Sequence, residues 1–324
     1  MSEPSTVTTQ ARQSPPGPAL LAAGERRRLV ALVAGLAPAE GANPTAVPGV
    51  EVNRATRPSP RRPVITQPSI CIVAQGSKRA YHGDMVYAYD PLHYLVLSVP
   101  LPIEGEIVEA SPEAPYLALK LGVDAVMLGE LLFDMGERGD GSLRQRARRG
   151  ISVSRLDERL LGSVMRLLRV LQHPLDARIL GREALREILY HVLTGEQGDL
   201  LRAVALADSR IQRLAGVLRR LQTHYEEPLD VATLARQAGM SPTTLHHQFR
   251  AVTATSPLQY LKTVRLHQAL RLMLHDGLGA AQAAYRVGYG SASQFSREFK
   301  RLFGASPRSE VAKLNAGVAP VIGR

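Results

Sequence analysis

The stretch VGYGSASQFSREFKRLFGASP, residues 287–307, gathers three phenylalanines, three cationic side chains and several small polar ones. Phe295, Phe299, Leu302 and Phe303 recur at i, i+4, i+7 and i+8, the spacing of one apolar helix face. Ala292, Ser293, Ser296, Arg297 and Lys300 fall on the opposite face. The segment has a partner upstream. LDVATLARQAGMSPTTLHHQFRAVTATSP (229–257) aligns with LGAAQAAYRVGYGSASQFSREFKRLFGASP (278–307) at an offset of 49, pairing Leu229 with Leu278, Ala235 with Ala284 and Gly239 with Gly288. Beyond the glycine the offset becomes 50, pairing Leu245 with Phe295, Phe249 with Phe299, and Ser256-Pro257 with Ser306-Pro307.

Each copy has the logic of a helix-turn-helix. A short Ala-rich helix packs closely, and a glycine then supplies the left-handed backbone of the turn. Ser241 is placed to cap the next helix with Pro242 in its first turn, and Ser291 or Gly290 serves in the second copy. In the first copy Leu245, Phe249 and Val252 face inward and Thr243, His246, His247 and Arg250 outward. The outward sets hold hydrogen-bonding and cationic groups without acidic ones, as a helix in a DNA major groove requires. Between the copies Leu258–His275 reads as one helix, and about 18 residues span roughly 27 Å. That approaches the roughly 34 Å between successive major-groove faces, so two such helices reach adjacent turns of one duplex.

Charge agrees with this. The chain has 324 residues and a formal net charge of +11, yet from Arg210 onward 16 Lys/Arg face only 6 Asp/Glu, leaving almost none of the excess upstream. A basic final third points to a polyanion partner. A single cysteine, Cys71, excludes an intramolecular disulfide framework and any Cys-rich zinc site, and suits a reducing cytosol. No apolar run approaches the roughly 20 residues of a membrane span, so no membrane partner is expected. RRRLVALVAGLA (26–37) has the charge-then-apolar order of an export signal but starts too far from Met1. Its Leu29, Leu32, Val33 and Leu36 sit at helical spacing.

The chain divides by texture. Residues 1–23, rich in Ser, Thr, Gln and Pro, read as a disordered tail, and 24–49 as the short helix with a Pro-rich link. Across 50–123, SICIVAQ, MVYAY, YLVLSV, GEIVEA and YLALKL are separated by Gly, Pro and Asp, the pattern of a small antiparallel sandwich or barrel. Residues 124–208 are helical in period, with DAVMLGELLFDM, an Arg-rich loop bearing Arg144, Arg146, Arg148 and Arg149, and a stripe from Leu156 to Leu171. Further helices are expected at 176–194 and 198–224. The two-copy region occupies 209–312, and 313–324 is a tail.

GMSPTTLHHQFR, SPLQYLKTVRLHQA, VGYGSASQFSREFKRLFG and the closing Ser306-Pro307 resemble the AraC family of bacterial transcription regulators across about 210–310. The resemblance implies base-facing roles for Thr243, His246, His247, Ala292, Ser293, Ser296 and Arg297, with Arg250 and Lys300 nearer the DNA backbone. RPVITQPSICIVAQGSKR and YDPLHYLVLSVPLPIEGEIVEASPEAPYLALKL are similar to the cupin-type effector domain of one AraC subgroup, some of whose members respond to small aldehydes. The implied fold is an α+β cupin-like β-barrel or sandwich with a helical extension, followed by an all-α domain of two helix-turn-helix units. The implied partners are double-stranded promoter DNA, an unidentified small-molecule effector such as an aldehyde or related metabolite, RNA polymerase and a second copy of the chain. An activator at the nucleoid of a bacterial cytoplasm fits this picture.

His82, His93 and Cys71 are the candidates for effector contact. The tight His-x-His pair of metal-binding cupins is absent, and His246 and His247, neighbours on a helix, point about 100° apart, so no metal or other cofactor is expected. No phosphate-binding Gly loop, nucleophile elbow or zinc-protease motif is present, and the chain does not read as an enzyme. Two rival readings are a cupin-type metalloenzyme with a helical appendage, using His82 or His93, and a ligand-independent DNA-binding protein.

Overall fold

The computed structural model describes residues 23–136, 150–205 and 210–315; all of the expected N-terminal tail but Ala23, which opens a helix, and the Arg144–Arg149 cluster lie outside them. The N-terminal half runs α1 (Ala23–Gly35), β1 (Gly41–Pro44), β2 (Val50–Ala55), β3 (Ser59–Ile65), β4 (Ser69–Gln75), β5 (Ser77–His82) and β6 (Met85–Tyr89). It continues with β7 (His93–Leu97), β8 (Pro102–Glu109), β9 (Tyr116–Gly122), α2 (Ala125–Asp134), β10 (Ile151–Arg155), α3 (Glu158–Val170), α4 (Pro174–Thr194) and α5 (Gly198–Ala205).

The strands form two antiparallel sheets, a six-stranded one ordered β1-β2-β9-β4-β7-β10 and a four-stranded one ordered β3-β8-β5-β6. Two strands come from outside 50–123. β1 arises from the Pro-rich link, and β10 returns to pair with β7 from within the stretch whose period is helical. Both are short edge strands, too brief to show a period of their own.

The larger sheet is covered on both faces. In β9, Leu117, Leu119 and Leu121 join the helix-side core while Tyr116 and Ala118 face the smaller sheet. In β7, Tyr94 and Val96 point one way, and Leu95 and Leu97 the other. Burial on both faces explains why SICIVAQ and YLVLSV read as continuous apolar runs rather than alternating ones. Leu29 and Val33 of α1 and the Leu160–Leu171 stripe of α3 seal the helix side.

The C-terminal half runs α6 (Arg210–Thr223), α7 (Val231–Gln237), α8 (Pro242–Thr253), α9 (Pro257–His275), α10 (Ala280–Arg286), α11 (Ala292–Phe303) and α12 (Pro307–Asn315). The helices reproduce the repeat: α7 and α10 start 49 residues apart, α8 and α11 start 50 apart. Ser241 and Ser291 cap α8 and α11 by accepting from the backbone N–H of Thr244 and Gln294. Ser256-Pro257 and Ser306-Pro307 open α9 and α12 in the same way, which explains why that dipeptide recurs. Helix α12, which carries the chain on past the second Ser-Pro to Asn315, has no counterpart among the sequence expectations. Its Leu314 is buried.

Helix α9 belongs to two cores. Tyr260, Leu261 and Val264 pack with Phe249, Leu245 and the inter-sheet residues, whereas Leu266, Ala269, Leu270 and Met273 pack with Phe295, Phe299 and Ala284.

Candidate nucleic-acid interface and its contact with the sheets

Phe249, Phe295 and Phe299 are fully buried, so the inward faces of α8 and α11 are those the spacing predicts. On α8, Thr243, His246, His247 and Arg250 are all exposed. On α11, Ser293, Arg297 and Lys300 are exposed, and Ala292 and Ser296 are half-buried. Ser296 donates its hydroxyl to the carbonyl of Ala292 at 2.9 Å, so its proton is committed within the helix. Among the described residues no carboxylate pairs with Arg250, Arg297 or Lys300. The one acidic residue of α11, Glu298, turns away, accepting from Lys262 Nζ at 2.7 Å, Tyr289 Oη at 2.8 Å and Gln294 Nε2 at 3.2 Å. Burial alone would raise its pKa; those donors outweigh it and hold the carboxyl below the usual range. The outward faces therefore carry uncompensated positive charge.

Arg265 of α9 fixes the two units relative to each other. It donates to the carbonyls of Tyr225 (2.6 Å), Glu227 (2.8 Å) and Gly288 (2.9 Å), tying the loop before α7 to the turn before α11. The sequence gives no periodic signal for this role, because Arg265 looks like any solvated charge on a long helix. Gly288 is required there for two reasons: its φ is +87°, and a Cβ would lie 2.5 Å from the Glu226 carbonyl oxygen.

His267, also on α9, packs edge-on against Phe303, and burial lowers its pKa to about 4. The unfolded chain accepts a proton near pH 6.5, which the folded chain refuses until about pH 4. Stability is therefore complete above pH 6.5 and falls as pH drops towards 4, by up to about 3 kcal/mol. Urea unfolding at pH 7 and pH 4.5 should show this loss, and His267→Phe should remove most of it.

The three effector candidates separate. His93 bonds Asp90 through Nδ1 at the start of β7. Cys71, on the central strand β4, packs with the inter-sheet core and remains partly exposed; burial pushes its thiol pKa up. His82, at the end of β5, is buried against α8. Its Nε2 lies 2.8 Å from the carbonyl oxygen of Val252, so that nitrogen carries the proton and donates to one of the last carbonyls of the helix. Next to it, Gly83 has φ +57°, and a Cβ there would come within 2.9 Å of Ala254 Cβ. Val252 also touches the space over Gly150. The β5–β6 hairpin thus seats the C-terminal end of the first outward-facing helix. Among the described residues no group of three or more His, Cys, Asp or Glu is arranged to hold a metal ion. No helix among them is long and apolar enough to cross a membrane.

These features define a pair of helix-turn-helix units on one connecting helix, docked on a two-sheet β domain. A family model for the AraC-type transcriptional regulator N-terminus matches residues 46–200, and one for a helix-turn-helix domain matches residues 234–311. The chain belongs to the AraC family of transcriptional regulators. It is 30% identical over 156 residues to the transcriptional activator RhaS of Salmonella paratyphi A, covering 48% of this chain and 55% of that protein. It is 40% identical over 96 residues to the regulator GlxA of Rhizobium meliloti, 30% of each chain. The chain thus spans about half the length of RhaS, or less for GlxA. The fold of ToxT from Vibrio cholerae, solved with an unsaturated fatty acid bound, superposes with a TM-score of 0.57 at 12% identity. That match covers 81% of this chain and 94% of ToxT.

Proposed function

We propose that the chain is a transcription regulator that binds promoter DNA through α8 and α11 and is governed by a small molecule held in its β domain. The observation that carries this reading is the pair of equivalent helices with exposed, unpaired donors and cations, fixed along one duplex by α9. Thr243, His246, His247, Ala292, Ser293 and Arg297 contact bases. Arg250 and Lys300 contact phosphates, and Ser296 serves as an acceptor only. Binding weakens with salt as counterions are released. Effector occupancy biases an equilibrium between DNA-competent and incompetent arrangements, and the His82–Val252 contact is the link through which the β domain reaches α8.

The chain acts as a binder rather than a catalyst, in the bacterial cytoplasm at the nucleoid, with RNA polymerase as a partner in activation. It works as a homodimer through the helical segment, where Val126 and Phe133 of α2 and Leu175 and Ile179 of α4 are exposed apolar side chains.

Gel shifts with the DNA upstream of its own gene test the central claim; loss of preference over competitor DNA would sink it. Arg297→Ala should cost about 1–3 kcal/mol of base discrimination while leaving the thermal midpoint unchanged. Equal losses on all sequences would move Arg297 to the phosphates.

A further inference from the structure

The two outward-facing helices differ in one chemical respect. Beyond the turn the copies align at an offset of 50, which sets His246 against Ser296, His247 against Arg297 and Arg250 against Lys300. Where the second unit presents a guanidinium, charged at every working pH, the first presents an imidazole. Histidine is the side chain whose charge ordinarily changes between about pH 5 and pH 8. Both imidazoles are exposed on α8, and among the described residues neither has a hydrogen bond or an ion pair.

Nothing packed around α8 supplies a counter-charge for a proton on those rings. Helices α6, α7 and α9 lie against it, and none of them contains an acidic residue. What they bring is cationic: Arg213, Arg219 and Arg220 on α6, Arg236 on α7, and Lys262 and Arg265 on the half of α9 that packs with Phe249. Asp230 spends its carboxylate capping α7. The β5–β6 hairpin adds His82 and Asp84, but it meets α8 at Val252 and Ala254, more than a turn from either imidazole. On α8 itself Arg250 stands four residues from His246 and three from His247, the spacing at which side-chain charges are neighbours. The free chain thus offers a charged imidazole no anion, whereas a DNA duplex laid against this face offers two strands of phosphates.

We infer that the first helix-turn-helix unit binds DNA together with a proton, carried by the His246–His247 pair, while the second unit binds without one. This rests on the reading of α8 and α11 as the DNA-contacting helices, and it adds the condition under which the first of them reads. A neutral imidazole offers one donor and one acceptor; the charged ring offers two donors. Donors suit the N7 and O6 acceptors of guanine and the phosphate oxygens alike. The proton comes from solvent and returns to it on release, so affinity falls as pH rises. The chain then holds its promoter more tightly as its surroundings acidify, and it does so through one unit only.

Fluorescence anisotropy of the full chain on a labelled duplex from upstream of its own gene, at fixed ionic strength from pH 6 to pH 8, tests this. Binding should be about tenfold to a hundredfold weaker at pH 8 than at pH 6, the range for linkage to about one proton. The double substitution His246→Gln with His247→Gln should flatten the profile, and His247→Arg should keep binding tight at pH 8. Arg297→Ala should weaken binding at every pH yet leave the slope in place. Both pH limits lie above the value of about 4 at which buried His267 takes up its proton, and circular dichroism should show each protein folded throughout. A flat profile in the unaltered chain, an undiminished slope in the folded double variant, or a slope lost with Arg297→Ala would each overturn the inference. The outcomes also separate the two readings. Preference for the duplex over competitor DNA with a flat profile rejects the proton alone, whereas no preference at any pH rejects the DNA-contacting role of the helices.

Discussion

Gly288→Ala should unfold the second helix-turn-helix unit, whereas Gly239→Ala at the equivalent turn of the first should be mild. Both glycines have positive φ, +87° and +61°, so each alanine pays a left-handed penalty of about 1–2 kcal/mol. They differ in surroundings. A Cβ at 239 meets nothing within 4 Å, but at 288 it meets the Glu226 carbonyl oxygen at 2.5 Å and Arg265 Nη2 at 3.0 Å. The carbonyl belongs to backbone that Arg265 holds in place and cannot easily withdraw. A total cost of roughly 3 kcal/mol or more is expected at 288, against about 1 at 239. Chemical denaturation of both variants measures the difference; equal costs would show that the turn before α11 is looser than its contacts imply.

Arg265→Met is the companion experiment. It preserves the aliphatic stem but removes the guanidinium from the carbonyls of Tyr225, Glu227 and Gly288. Hydrogen bonds from charged donors contribute about 1.5–3 kcal/mol each, and partial solvent access to these carbonyls reduces the sum, so a loss of about 3–5 kcal/mol is expected. Arg265→Lys should recover little, because an ammonium cannot span carbonyls from two separate loops as the planar fork does. Combined with Gly288→Ala the losses should not add, since both substitutions disturb one contact. Additive costs in that double variant would refute the shared clamp.

Where side chains obey a period, the sequence was legible. The apolar spacing at Phe295, Phe299 and Phe303, the glycines and the Ser-Pro pairs located α7 to α11 and their outward faces. The β runs likewise marked β4, β7 and β9. What could not be read depends on meetings between distant segments. β1 and β10 are defined by their partners, not by their own residues. His82 bonds a carbonyl 170 residues away, a partner that its own strand does not announce. Arg265 shows the same limit, since carbonyls have no signature in sequence.

The two-core character of α9 carries one more consequence. Because a helix advances about 1.5 Å and turns about 100° per residue, inserting one residue between Val264 and Leu266 would barely lengthen it but would swing α11 about a quarter-turn around the axis. Deletions and insertions in this helix are tolerable only in near-whole turns. The angular phase of α11 against α8 is set by counting residues in α9, and on the proposed reading the spacing of the DNA elements would be bound to that same count.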